Sequence, residues 1–238
     1  NQIYVIEVNP RASRTVPVIS KVTGVPMVKL AVASMLGKSL ADSEYGTGLY
    51  PNKKFTSVKM PVFSNAKLTN VDIALGPEMK STGEILSIDS TYEKAIYKGF
   101  LATGVTIPID GGIYVSLRDP EKTEETVHIL SEYAKEGYTL YASTGTGAFL
   151  QSHGLHIAEI VDEPKAVRNL VDDEKVQIVI NVPKVQNRVG YDAFDIRRYA
   201  TERNFPVLTC MDTAAAFLIA ARNKKLGVVP NYLSLDEY

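Results

Sequence analysis

Four residues near the start of the chain have the types and spacing to handle a phosphoryl group: Glu7, Asn9, Arg11 and Arg14. The run Ile3-Tyr4-Val5-Ile6 before them is apolar and partly β-branched, which predicts a strand. Side chains alternate faces along a strand, so residues 7 and 9 would project together. A carboxylate and an amide oxygen on one face suit Mg²⁺ or Mn²⁺, hard cations that also hold substrate phosphates. Pro10 would end the strand. Two guanidinium groups then follow, and their planar forks match phosphate or carboxylate oxygens. The plainer reading is a strand end with a solvated glutamate and a turn asparagine. The residue types alone leave both readings open.

A second set lies further on. Ser143-Thr144-Gly145-Thr146-Gly147 follows the apolar run ending at Ala142. Its glycines allow close approach to the backbone, and its hydroxyls and helix N-terminal amides could cradle an anion. A helix cap with a tight turn explains the same residues. Ser116 closes another apolar run, and Lys122 follows it closely enough to reach the same anion. Lys122 is equally explained as a solvated helix lysine. Asn181 ends the run Gln177-Ile178-Val179-Ile180 and could read a base or ribose edge, or simply end the strand in a turn.

Elements able to position these groups can be read in order. Helices are predicted over 16–23 and 27–36, stopped by Gly24 and Gly37. Strands are predicted over 55–62 and 83–88, and a helix over 91–101 with Ser90 as its cap and Glu93 three residues on. A glycine-containing stretch then interrupts the pattern, giving residues 1–103 as one unit, 104–110 as a linker and 111–238 as a second unit. The second unit alternates strands (112–117, 138–142, 157–160, 177–181, 207–209) with helices (120–136, 147–153, 165–172, 193–203, 212–224). Asp119 opens the first of these helices, with Pro120 at its first position. Alternation of this kind implies a mostly parallel sheet covered on both faces.

Composition bounds the function. The 238 residues carry a net charge of -1, which gives no electrostatic basis for binding nucleic acid. A single cysteine, Cys210, leaves no internal disulfide framework and fits a reducing cytosol. No apolar run reaches the ~18 residues of a membrane span. The chain opens directly into a strand without Met, so it is expected to be part of a longer polypeptide.

The run from Glu7 to Pro17, continuing as Ser20-Lys21-Val22-Thr23-Gly24-Val25-Pro26, closely resembles the end of the second ATP-grasp domain of carbamoyl-phosphate synthase large chains. Gly76-Pro77-Glu78-Met79-Lys80-Ser81-Thr82-Gly83-Glu84 resembles a second block of that family, in the same order. The strand-end residues of the second unit, with Ile196-Arg197-Arg198, resemble the regulatory domain of these chains, whose fold is shared with methylglyoxal synthase. The resemblance implies an α/β chain: a partial ATP-grasp segment (α+β) followed by a Rossmann-like parallel-sheet domain. It implies that Glu7 and Asn9 hold Mg²⁺ or Mn²⁺ with ATP and that Arg11 and Arg14 lie beside the phosphoryl-transfer centre. It implies a pocket for a nucleoside monophosphate effector, with Ser143 and Thr146 on the phosphate beside Gly145, Lys122 as its lysine, Ser116 nearby and Asn181 on the base side. The implied partners are the rest of the large chain, a glutaminase small subunit and further copies of the chain, in the cytoplasm.

Departures from the family pattern are also visible. Glu159 and Ile160 stand where the family has a basic residue, with Lys165 and Lys184 as the candidates to replace it. Met60 stands where ornithine-responsive members carry a carboxylate beside the lysine matching Lys59, so no ornithine activation is expected. Two other functions compete. A free-standing lyase of the methylglyoxal synthase type needs a carboxylate base in a glycine-rich turn, and Val161-Asp162-Glu163-Pro164-Lys165 lacks the glycines. A matching histidine is not evident among His128, His153 and His156. An oligomerisation module could use Ala214-Ala215-Ala216-Phe217-Leu218-Ile219-Ala220-Ala221 as a helix face, although ordinary core packing explains that stretch equally well.

Overall fold

A computed structural model of the chain describes residues 2–64, 72–76, 78–183, 192–234 and 237. Lys184 and Pro77, named above, lie outside the described residues. Helices α1 (Thr15–Thr23) and α2 (Met27–Met35) come first, then strands β1 (Thr56–Val62) and β2 (Gly83–Asp89) and helix α3 (Tyr92–Thr103). β1 and β2 pair antiparallel with Lys59 opposite Leu86. Gly24 ends α1 at φ 79°, a left-handed conformation that glycine adopts without penalty.

The opening strand is a correction: residues 2–9 form no strand. Ile3, Val5 and Ile6 are 97%, 81% and 96% exposed. A strand needs a neighbour to take its backbone hydrogen bonds, and none of the described residues pairs with this run.

The second unit holds β3 (Gly112–Ser116), α4 (Glu124–Lys135), β4 (Thr139–Ala142), α5 (Thr144–Ser152), β5 (Glu159–Ile160), α6 (Pro164–Asp172), β6 (Ile178–Asn181), α7 (Asp192–Glu202), β7 (Val207–Leu208) and α8 (Met211–Lys225). Its sheet runs β5-β4-β3-β6-β7 and every pairing is parallel. Alternation along the strands divides the core in two. Ile113, Val115, Ile178 and Ile180 face one side, with Leu130, Leu150 and Phe217; Tyr114 and Val179 face the other, with Val167, Val171 and Ile196. α8 is core: Ala214, Phe217 and Ala220 are fully buried, so the apolar stretch there is no free oligomerisation face. α3 joins this core through Tyr97, and Phe100 meets Phe217 edge-on at 5.2 Å.

Three helix starts differ from expectation, two of them because another hydroxyl takes the capping role. Thr91, not Ser90, caps α3, accepting from the Lys94 N–H; Ser90 instead donates to Asp89. Asp119–Glu121 forms only a 3₁₀ turn, and Thr123 caps α4 by accepting from the Thr126 N–H. α5 begins at Thr144, so Gly145 and Thr146 lie in its first turn rather than in a loop before it.

The start of β3 admits only glycine. A Cβ on Gly112 would lie 2.0 Å from the Lys175 carbonyl oxygen and 2.8 Å from the Tyr141 ring. Gly112→Ala must push the β6 approach away from β3, and a stability loss of about 1–3 kcal/mol is expected in urea unfolding. An unchanged midpoint would show that the approach yields freely.

Candidate functional site

The candidate groups of the second unit meet at the carboxyl ends of three adjacent parallel strands. Ser116, ending β3, pairs with Asn181 at the end of β6, and Ser143 follows β4 on the other side. Ligands of open parallel sheets collect at such ends, where helix N-termini also point. The Ser143 hydroxyl donates to Thr146 Oγ1 at 3.0 Å, and the Leu117 N–H donates to the same oxygen at 2.9 Å. Thr146 is 1% exposed. With two bonds accepted, its own proton remains to be donated. Lys122 reaches the same place: its Nζ lies 3.3 Å from where a Cβ on Gly145 would be. The bare backbone of Gly145 therefore lets the ammonium come up against the first turn of α5, where one anion could meet both.

Carboxylates already touch this cradle. Asp119 pairs with Lys122 at 2.7 Å, although the Asp119 side chain is 87% exposed and such a pair is weak. Asp162, after β5, accepts from the Thr144 N–H at 2.9 Å and from the Thr144 hydroxyl. Burial, and then the Asp162 charge, push the Tyr114 phenol far above its ordinary value. The Tyr114 hydroxyl donates to the Val161 carbonyl at 3.2 Å. Glu159 is exposed.

Asn181 is 2% exposed, and its Oδ1 accepts from Arg197 Nη1 at 2.7 Å. That bond fixes the amide and leaves Nδ2 as the group to offer a ligand. Arg197 itself is fully buried and forks onto Asp72. Sequence reasoning gave Asp162, Asp72 and Arg197 no place in an anion pocket. Arg197 stood in a quoted motif, but its partner Asp72 is 125 positions away and carries no local signal.

The first-unit residues are not brought into a comparable pocket. Glu7, Asn9, Arg11 and Arg14 are all exposed. Asn9 Nδ2 donates to Glu7 Oε1 at 3.2 Å, so the two side chains do meet, without the strand expected to align them. The donor set fits a hard cation: the Glu7 carboxylate and the Asn9 carbonyl oxygen would supply two oxygens, with phosphates and water completing the shell. Thr15, next to Arg14, accepts from Lys59 Nζ at 3.1 Å, and Lys59 also pairs with Glu84 Oε1 at 3.1 Å.

Two concavities lie elsewhere. One of about 100 Å³ adjoins Asp89 and Lys98. A groove of about 710 Å³ lies between α4, β4 and the end of α5 and is flanked by His128, His153 and His156. All three histidines are exposed and flank this groove, which reaches the end of α5, whereas Asp162 binds at the start of that helix. No single helix among the described residues is long and apolar enough to cross a membrane, although α1 and α2 meet the length and composition criteria as a pair bent by 110°.

Residues 125–209 match a family described as "MGS-like domain", and residues 1–43 match "Carbamoyl-phosphate synthase L chain, ATP binding domain". The carbamoyl phosphate synthase large chain of Clostridium acetobutylicum is 52% identical over 239 aligned positions, covering 99% of this chain. The chain spans 22% of that relative's length. With two family matches in this order and that identity along nearly all of its residues, the chain belongs with the carbamoyl phosphate synthase large chains.

Proposed function

We propose that the chain is the carboxyl-terminal part of such a large chain, with residues 1–103 completing its second ATP site, 104–110 a linker and 111–238 an effector domain. The whole enzyme would phosphorylate bicarbonate with one ATP, let glutamine-derived ammonia displace the phosphate to give carbamate, and phosphorylate carbamate with a second ATP. Glu7 and Asn9 would hold Mg²⁺ or Mn²⁺, which supplies charge neutralisation at the transferred phosphoryl group. Arg11 and Arg14 would stabilise the charge that develops there; this is positioning and electrostatics rather than covalent catalysis. A glutaminase small subunit, the remainder of the large chain and self-association complete the assembly, in the cytoplasm.

The effector domain would bind a nucleoside monophosphate. The observation that carries this reading is the convergence of the α5 first turn, the Thr146 hydroxyl and Lys122 on the bare backbone of Gly145. Asn181 Nδ2 would face the nucleoside. Calorimetry with uridine monophosphate tests it: micromolar binding is expected, weakened at least ~10-fold by Lys122→Ala, because a charge-assisted hydrogen bond contributes about 1.5–3 kcal/mol. The absence of saturable heat in the unaltered chain would refute it.

The two carboxylates should oppose an anion. Asp119→Asn frees Lys122, and Asp162→Asn removes a negative charge from the α5 N-terminus. Each is expected to tighten nucleotide binding by about 3- to 5-fold, roughly 0.6–1 kcal/mol, the scale of exposed charge effects near a helix end. Weaker binding in either variant would place the phosphate elsewhere.

A further inference from the structure

We propose that Arg197 is a positioning residue that couples the nucleotide pocket to the first unit through Asp72. The inference rests on the nucleotide reading of that pocket. Arg197 is 0% exposed and stands first among the fully buried side chains by volume. Its three hydrogen-bonding nitrogens are divided between the units. Nη1 donates to Asn181 Oδ1 at 2.7 Å in the pocket. Nε and Nη2 donate to the two oxygens of Asp72 at 3.0 and 2.5 Å. The guanidinium is a rigid plane, so a ligand that shifts Asn181 must tilt the fork that holds Asp72. A buried charge is costly to desolvate, and an apolar side chain of that volume would fill the space without the cost. What the arginine adds is a fixed geometry between two units.

Asp72 passes the displacement on by contacts present in the structure. Lys80 Nζ donates to the carbonyl oxygens of Asp72 and Ala74 at 3.2 and 2.6 Å. Lys80 lies just before β2, whose Glu84 pairs with Lys59 of β1 at 3.1 Å. Lys59 in turn donates to Thr15, the residue after Arg14. Glu84 Oε2 is buried and has no hydrogen-bond partner among the described residues. An alternative placement of Lys59 or its neighbours that satisfies this oxygen is the second state the route requires. The route thus starts at a nucleotide-facing amide and ends beside an arginine assigned to phosphoryl transfer. Coupling of this kind is reciprocal.

Hydrogen exchange and calorimetry on the 238-residue chain separate the two ideas. In the unaltered chain, saturating uridine monophosphate should slow or speed exchange at least ~3-fold in the amides from Lys80 to Glu84 and at the start of α1. Asp72→Asn keeps the shape but loses the charge that holds the fork. It should bind the nucleotide within about threefold of the unaltered chain, yet lose the response at Lys80–Glu84. Lys80→Met, which removes the bonds to the Asp72 and Ala74 carbonyls and leaves the pocket side chains intact, should do the same and covers the case in which Asp72→Asn unfolds. Binding with an unchanged response in both variants overturns the coupling alone, as does binding with no response outside the pocket. Absence of binding in the unaltered chain overturns the nucleotide reading and takes the coupling with it.

Discussion

Lys98→Ala is expected to lower stability by about 3–5 kcal/mol, because it leaves a buried carboxylate without its cation. Lys98 on α3 and Asp89 at the end of β2 are 8% and 6% exposed and pair at 2.8 Å. Lys98 also donates to the Ile88 carbonyl at 3.0 Å. Burial pushes the Asp89 carboxyl up, but Lys98, with the N–H and hydroxyl of Ser90, outweighs it and holds the group below the usual carboxylate range. A carboxyl whose folded pKa is depressed stabilises the fold above its unfolded value of ~3.9 and loses that contribution as pH falls through the lower folded value. The deficit of Lys98→Ala should therefore be full at pH 7 and shrink below about pH 4, as Asp89 becomes protonated. Urea midpoints at pH 7 and pH 3 check this. An equal deficit at both would assign the loss to packing of the lysine stem instead.

Phe217→Ala should cost about 3–5 kcal/mol, the usual range for emptying a buried phenyl site. Phe217 is 0% exposed and meets Phe100 at 5.2 Å with the rings at 86°. Edge-to-face contact adds to the apolar burial. The residue matters beyond its own core, because α3 packs on α8 as well as on β1 and β2. The cavity should weaken this seam, so β1–β2 should exchange its amides faster while the parallel sheet keeps its relative order. A loss under ~1 kcal/mol, or uniform loosening of all strands, would show that α3 is not the main junction between the two sheets.

A salt-bridged brace supports the same helix from its other end. Arg222 of α8 bonds Glu132 and Glu136 of α4, each at 2.7 Å. The Lys135 ammonium and Arg222 hold Glu132 down to about 2. Both carboxylates lie near solvent, so the brace fixes orientation more than it adds stability.

Most of the second unit was legible because its signals are local. Ile178-Val179-Ile180 is a β-branched run flanked by polar residues, and it became the strand beside β3, buried on both faces. The strand-end position of Ser116, Ser143 and Asn181 followed from that alternation. Helix starts were less legible. Ser90 and Thr91 both carry a capping hydroxyl, and backbone geometry rather than residue type selects Thr91. Pro120 suits a first helical turn, but the Thr123 hydroxyl and the acidic Glu124 and Glu125 make a better one. Apolar residues 3–6 read as a strand because pattern reports preference and not the presence of a partner. Long-range polar contacts left no trace at all: nothing near Asp72 marks it as the partner of Arg197.

The central claim is that an anion seats on the first turn of α5. The most direct test follows the backbone amide resonances of the isotopically labelled chain by nuclear magnetic resonance while uridine monophosphate, and separately uridine, is added. The account predicts that the nucleotide shifts Gly145, Thr146 and Gly147 together with the Asn181 side-chain amide, and that uridine without its phosphate leaves the α5 amides in place. Equal shifts by both compounds, or shifts confined to residues outside the β3, β4 and β6 strand ends, would contradict it.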